Sequence, residues 1–252
     1  MKIKRLLPVA VFLLVSLLIC VSVTGLFLLS GGSMQGVQEQ GTPQETEPEQ
    51  LADPLFTVIL DAGHGGEDGG AVGVSGLVEK DLNLDIAKRV AALLEESGVK
   101  VIMTRTQDVL LYDRSVDYKG RKKVLDLAAR QAIGDADPEA LFVSIHANAF
   151  SQKQYHGLQI WYGTRHAASA ALAESIRGEV VSTLQPDNHR QSKQAGSNIY
   201  LLYHLQNPAV LVECGFLSNP VECKALEDEE YRQALAHALY RGIMAYDEND
   251  VE

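Results

Sequence analysis

The sequence predicts an α/β domain: one three-layer unit with a twisted, largely parallel central sheet flanked by helices. Three observations predict it. Short β-branched and aliphatic runs at 57–60, 100–104, 141–146 and 208–213 alternate with longer stretches whose apolar residues recur at helical spacing. The order strand, loop, helix, strand over 57–104 makes a βαβ-like unit, which implies parallel pairing. Glycine and proline signals punctuate the chain between these runs.

Taken in order, Thr57–Leu60 is a buried strand that breaks at His64 into a loop carrying Gly63, Gly65, Gly66, Gly69 and Gly70. Such a loop lets backbone approach a ligand closely, and it is equally a glycine-rich turn with an incidental histidine. Leu82, Ile86, Val90, Leu93 and Leu94 then share one helical face, Gly98 stops the helix, and Lys100–Thr104 is a second strand. An irregular stretch over 108–120 leads to a helix over 121–133, and Leu141–His146 is a strand that again ends on a histidine. Leu158, Ile160 and Tyr162 alternate as a strand, residues 168–184 form a helix, and Ile199–Leu202 and Pro208–Glu213 are strands, the second closing on a carboxylate. Ser218-Asn219-Pro220 opens a short helix, and 231–246 is the last one.

The ends have a different character. Lys2, Lys4 and Arg5 precede an apolar run from Leu6 to Leu29. Spanning a bilayer takes about 20 apolar residues in a helix, so residues 1–29 are expected to be a retained signal anchor, a transmembrane helix with its positive flank in the cytoplasm; a cleaved signal is the alternative. Residues 30–54, rich in Gln and Glu with three prolines, cannot bury a core and are expected to be a disordered acidic linker. The folded domain is then 55–248, expected outside the cytoplasm. A formal net charge of -11 on 252 residues argues against a nucleic-acid partner.

In an open α/β sheet, functional groups gather beyond the carboxyl ends of neighbouring strands, where His64 and His146 fall. With Glu79 at the start of the crossover helix they offer two imidazoles and one hard oxygen, a set that suits a catalytic zinc with an open fourth position. Each has a plainer reading. Histidines are commonly surface or hydrogen-bonded groups, Glu79 favours the positive end of a helix dipole, and Glu213 can sit in an ion pair with Arg114 or Arg121.

Four stretches carry a resemblance: Leu60–Gly66 with Asp68, Gly70 and Ala71; Gly76–Leu84; Ser144–Asn148; and Val212–Asn219. In this order they resemble the signature stretches of the zinc-dependent N-acetylmuramoyl-L-alanine amidases. The resemblance implies zinc ligands at His64, Glu79 and His146, and a catalytic carboxylate at Glu213 that takes a proton from water and passes it to the departing L-alanine nitrogen. It implies peptidoglycan as substrate, cut between N-acetylmuramic acid and L-alanine. Arg121-Lys122-Lys123, Ile199–Leu202 and Phe216–Pro220 further resemble the spore-cortex branch of that family, which implies cortex processing toward muramic δ-lactam and leaves room for an activating protein partner.

Several further residues have two readings. Asp61 and Asn148 either hold an imidazole by hydrogen bonds or stabilise loops. Arg105, Arg114 and Arg121 either bind carboxylates of the peptide or muramyl group or form surface salt links. Cys214 and Cys223 are expected to be independent thiols, with Cys214 facing the core, and His204 is a histidine near the site by virtue of following a strand. Competing functions are a carboxypeptidase-like zinc hydrolase on stem peptides and a non-catalytic wall-binding module.

Overall fold

The structure is a computed structural model that describes residues 54–246 apart from 114 and 116. The expected signal anchor, almost all of the linker and Arg114 lie outside the described residues. Among the described residues no helix is long and apolar enough to cross a membrane.

Six strands, β1 (Thr57–Ala62), β2 (Lys100–Met103), β3 (Leu141–Asn148), β4 (Gln159–Tyr162), β5 (Lys193–Gln194) and β6 (Ala209–Phe216), form one sheet in the order β2-β1-β3-β6-β4-β5. Pairing is parallel except between β4 and β6, so the sheet is mixed and largely parallel. The helices are α1 (Glu79–Glu96), α2 (Lys122–Asp135), α3 (Ala168–Thr183), α4 (Tyr200–His204), α5 (Pro220–Glu227) and α6 (Glu229–Met244).

Strand periodicity sorts the core into two faces, because successive side chains point to opposite sides of a sheet. Val58 and Leu60 pack with Ile86 and Val90 of α1, Leu172 and Ile176 of α3, and Leu239 of α6. Ile59 and Phe142 point the other way, toward Leu201 and Leu202 of α4 and Leu127 and Ile133 of α2. The helices thus cover both faces, and the three expected layers are present. Local signals hold where they were strongest: Gly98 follows α1 at φ 82°, and the Asn219 side chain accepts from Val221 N and Glu222 N with Pro220 at the first turn of α5.

Three expectations change. Residues 199–202 are not a strand: Tyr200–His204 is one helical turn. Leu201 and Leu202 are adjacent and both buried against the second face, which a helix permits and an alternating strand does not, while the edge position beside β4 is taken by β5. His146 and Glu213 also do not end their strands. β3 and β6 continue to Asn148 and Phe216, and His146 lies directly opposite Glu213 in the parallel register. β1 ends earlier than expected, at Ala62.

The α3–α6 contact depends on Gly242, where an added Cβ would stand 2.5 Å from Ile176 Cα. Backbone cannot yield as a side-chain tip does, so Gly242→Ala is expected to destabilise the domain by about 1–3 kcal/mol, read as a lower urea midpoint with an unchanged slope.

Candidate metal centre

The segment after β1 is held by its carbonyls. Arg105 Nε and Arg130 Nη1 each donate to Ala62 O at 2.8 Å; Arg105 Nη2 donates to Gly63 O at 3.0 Å, joined there by Asn83 Nδ2 at 3.2 Å; Arg130 Nη2 donates to His64 O at 2.7 Å. His64 needs this support because its φ of 61° lies in the left-handed region that side chains disfavour. Arg130 is 1% exposed and its charge is met by Asp61 and by Asp126, whose Oδ2 is 2.8 Å from Nε. Asp61 also accepts from Thr104 at 2.7 Å and Ser144 at 2.6 Å. Burial alone would raise its pKa, but the Arg130 charge and these hydroxyl donors hold it below the ordinary value.

Glu79 opens α1 with its side chain buried. Its Oε1 stands 3.2 Å from His64 Nε2 and 3.0 Å from His146 Nδ1, and accepts from Ala147 N at 3.2 Å; Oε2 accepts from Ala71 N at 2.7 Å. Against the upward push of burial, the hydrogen bonds and charges of His146 and His64 hold this carboxyl far below the usual carboxylate range. His64 is raised in turn: burial opposes its charge, but Glu79 and Asp68 favour it. Asp68 Oδ2 lies 2.9 Å from His64 Nδ1 without the alignment of a hydrogen bond.

One ligand atom from each of His64, Glu79 and His146 lies within 4.8 Å of the others. A tetrahedral zinc with bonds of about 2.0–2.1 Å spaces its donors about 3.3 Å apart, so small movements suffice to admit the ion. Close packing supports this fit. A Cβ at Gly63 would meet His146 Nε2 at 2.2 Å, and one at Gly70 would meet Glu79 Oε2 at 2.4 Å, so glycine is what lets the backbone close around these groups.

Glu213 projects from β6 beside His146, and its Oε2 is buried with no hydrogen-bond partner among the described residues. Burial pushes its carboxyl up to about 7, opposed by the charges of His146 and His64 and reinforced by Glu79. A cavity of about 90 Å³ adjoins the imidazoles, lined by Gly63, His64, His146, Asp68, Lys123 and Leu201 among others.

Residues 58–245 match the model of the Amidase_3 family, N-acetylmuramoyl-L-alanine amidase. The chain belongs to this family. A germination-specific N-acetylmuramoyl-L-alanine amidase of Bacillus subtilis (strain 168) is 37% identical over 189 residues, which cover 75% of this chain and 78% of that one. The structure of the CwlD amidase from Clostridioides difficile, in complex with the GerS lipoprotein, superposes with a TM-score of 0.71 at 41% identity over 76% of this chain and 98% of that one. The amidase AmiC2 of Nostoc punctiforme gives 0.63 at 34% identity, covering 76% and 96%.

In this amidase the four residues expected from sequence come together, while several supporting assignments change. Arg105 is no carboxylate receptor: it is 3% exposed and commits its donors to the carbonyls of Ala62, Gly63, Lys80 and Gln107. Asp61 binds Arg130 and two hydroxyls rather than an imidazole, and the contact to a ring nitrogen comes from Asp68 instead. No hydrogen bond joins the Asn148 side chain to either imidazole among the described residues, and Arg121 forms no ion pair with Glu213 there. His204 sits on α4 against Tyr200 and Tyr203 and does not line the cavity. Cys214 and Cys223 are free and buried, as expected.

Arg130 and Asn83 were not singled out in the sequence. The available signal for Arg130 was an Asp126–Arg130 pair at i, i+4 inside a helix. Removing the guanidinium leaves Asp61 and Asp126 buried without their counter-charge, so Arg130→Met is expected to cost about 3–5 kcal/mol of stability in urea unfolding.

The raised Glu213 carboxyl also has a signed consequence. Between the unfolded value of 4.5 and the folded value of about 7 the native state binds the extra proton, so this contribution is full below pH 4.5 and is lost as pH rises through 7. Glu213→Gln is expected to remove a fall of about 3 kcal/mol or less between pH 5 and 8 from the metal-free protein, measured by urea unfolding at both pH values.

Proposed function

We propose that the domain cuts the amide between N-acetylmuramic acid and L-alanine in peptidoglycan of the spore cortex, with zinc held by His64, Glu79 and His146 and with Glu213 carrying the proton. The observation that carries this reading is the convergence of two imidazole nitrogens on Glu79 Oε1, beside a second carboxyl whose Oε2 is buried and unpaired. A zinc ion there supplies Lewis acidity toward the amide carbonyl and lowers the pKa of water.

The protein's own groups do the rest. Glu79 stays ionised and keeps both rings turned toward one point, with a small cavity beside them. Glu213, with a carboxyl near neutrality, accepts the proton of the attacking water and returns it to the departing alanine nitrogen. His64 and His146 each present one ring nitrogen to the shared point, so the site needs no nucleophilic side chain.

The cortex assignment draws support from the germination-specific relative and from the CwlD amidase, and the lipoprotein bound to the latter supports a protein partner here. The charge and hydropathy of the first 29 residues support a membrane anchor that holds the domain at 55–248 outside the cytoplasm through the acidic linker at 30–54.

Digestion of purified peptidoglycan, read by mass spectrometry with and without a chelator, tests the reaction. Whole stem peptides are expected to leave the glycan only when zinc is present; release of single amino acids from the peptide end would identify a carboxypeptidase instead. Glu213→Ala is expected to keep its zinc and lose about 10²- to 10⁴-fold in rate, whereas His64→Ala and His146→Ala lose zinc by metal analysis.

A further inference from the structure

Two exposed aromatic rings stand on the loop that leaves β3. Phe150 is 53% exposed and Tyr155 is 37% exposed, and their rings meet edge to face at 5.3 Å. They are not loose. Phe150 N donates to Ser218 Oγ at 2.9 Å, Asn219 Nδ2 donates to Tyr155 O at 3.2 Å, and Gly157 N donates to Glu222 Oε1 at 2.7 Å. Beneath them the Arg190 guanidinium lies 5.5 Å from the Tyr155 ring centre and 4.7 Å from that of buried Phe216, with its Nε donating to His156 O at 2.8 Å. Exposed apolar rings held this firmly form a preorganised surface, the kind that binds at little entropic cost.

Their place in the fold limits what they meet. Phe150 follows His146 by four residues, so the ledge begins within about 14 Å of the metal centre along the chain. Phe216, which the Tyr155 ring approaches to 6.1 Å, lies on the same strand as Glu213. The cavity beside the imidazoles is walled by α2 and α4, whose Leu127 and Leu201 pack on one face of the sheet. The ledge is braced from α5, whose Cys223 and Leu226 pack on the other face. The metal centre therefore has a polar side, where Lys123 is exposed while Asp68 and Asp126 are engaged by His64 and Arg130, and an aromatic side.

The two halves of an N-acetylmuramoyl-L-alanine amide differ in the same way. The peptide half carries ionised carboxylates, and the sugar half presents C–H faces and N-acetyl methyl groups that pack on aromatic rings. The geometry points to Phe150 and Tyr155 as the seat of the substrate's sugar chain, with the stem peptide lying across the metal centre toward Lys123. This assignment rests on the peptidoglycan reading above and adds the direction in which the substrate lies.

Two measurements test it. Phe150→Ala and Tyr155→Ala are expected to raise KM on polymeric peptidoglycan about five- to tenfold, with kcat and the saturated turnover of a single muramoyl peptide changed by less than about twofold. In a Glu213→Gln background, the intact ledge is expected to sediment with glycan strands stripped of stem peptides, and the alanine variants are expected to remain in solution. Phe150→Tyr and Tyr155→Phe keep the rings and should keep the binding, which separates a lost surface from a damaged fold. Unchanged KM together with unchanged sedimentation overturns the ledge and leaves the rings to a protein partner. Failure of the wild type to cleave either substrate would sink the amidase reading while the sedimentation measurement still decides the ledge.

Discussion

Glu79 Oε1 lies within 3.2 Å of three nitrogens drawn from three parts of the chain: His64 after β1, His146 on β3, and the backbone of Ala147. That meeting requires β1 and β3 to be parallel neighbours and α1 to begin where both strands reach the same edge. The βαβ unit meets this demand directly, since the crossover helix returns its amino end to the carboxyl end of the first strand's loop. A buried carboxylate is unstable without donors, and here the helix start, two backbone N–H groups and two imidazoles all favour the charged form. Each of these groups in turn has its position fixed by serving the same oxygen.

The arginines solve a second problem that the first creates. His64 reaches Glu79 from a backbone conformation that a side chain resists, and three successive carbonyls of that segment accept from Arg105 and Arg130. A buried Arg130 with Asp61 and Asp126 contributes little net stability compared with well-packed apolar residues, because desolvation offsets the attraction. What it provides is a fixed address for the carbonyls of Ala62 and His64. Thr104 on the turn after β2 and Ser144 on β3 anchor Asp61 in the same network, so strand pairing and loop geometry are set together.

How much of this was legible in the sequence depended on the range of the interaction. Strands and helices with clean periods and the caps at Gly98 and Asn219 could be read because each leaves a local mark; His64, Glu79, His146 and Glu213 left only an apolar run broken by one polar residue, or a carboxylate at a helix start, and it was the resemblance of four ordered stretches that joined them. The same mark misled at its boundary. A polar residue interrupting an apolar run reads as the strand's end, yet β3 and β6 continue past His146 and Glu213 because both side chains face a site rather than solvent. Tyr200–His204 has strand-like composition, and as a helical turn it buries the adjacent Leu201 and Leu202 together in the layer that covers Phe142. Arg130 meets Asp61 across 69 residues and Arg105 meets Ala62 across 43, distances at which no spacing rule operates.

The two glutamates show how one small volume holds opposite proton affinities. Both are removed from water, and burial alone would raise both. Glu79 has donors on each oxygen and is driven far down; Glu213 leaves Oε2 unpaired and rises to about 7. Pairs of carboxyls pushed apart in this way divide the work between a group that must keep its charge and one that must exchange a proton near neutral pH. The division is structural in origin. Glu79 sits where the glycine-rich loop and the irregular end of β3 deliver the N–H groups of Ala71 and Ala147, while no donor among the described residues reaches Glu213 Oε2. Proton exchange is thus matched to Glu213 and charge retention to Glu79, because the loop, the end of β3 and the two imidazoles bring their donors to Glu79 and none of them to Glu213 Oε2.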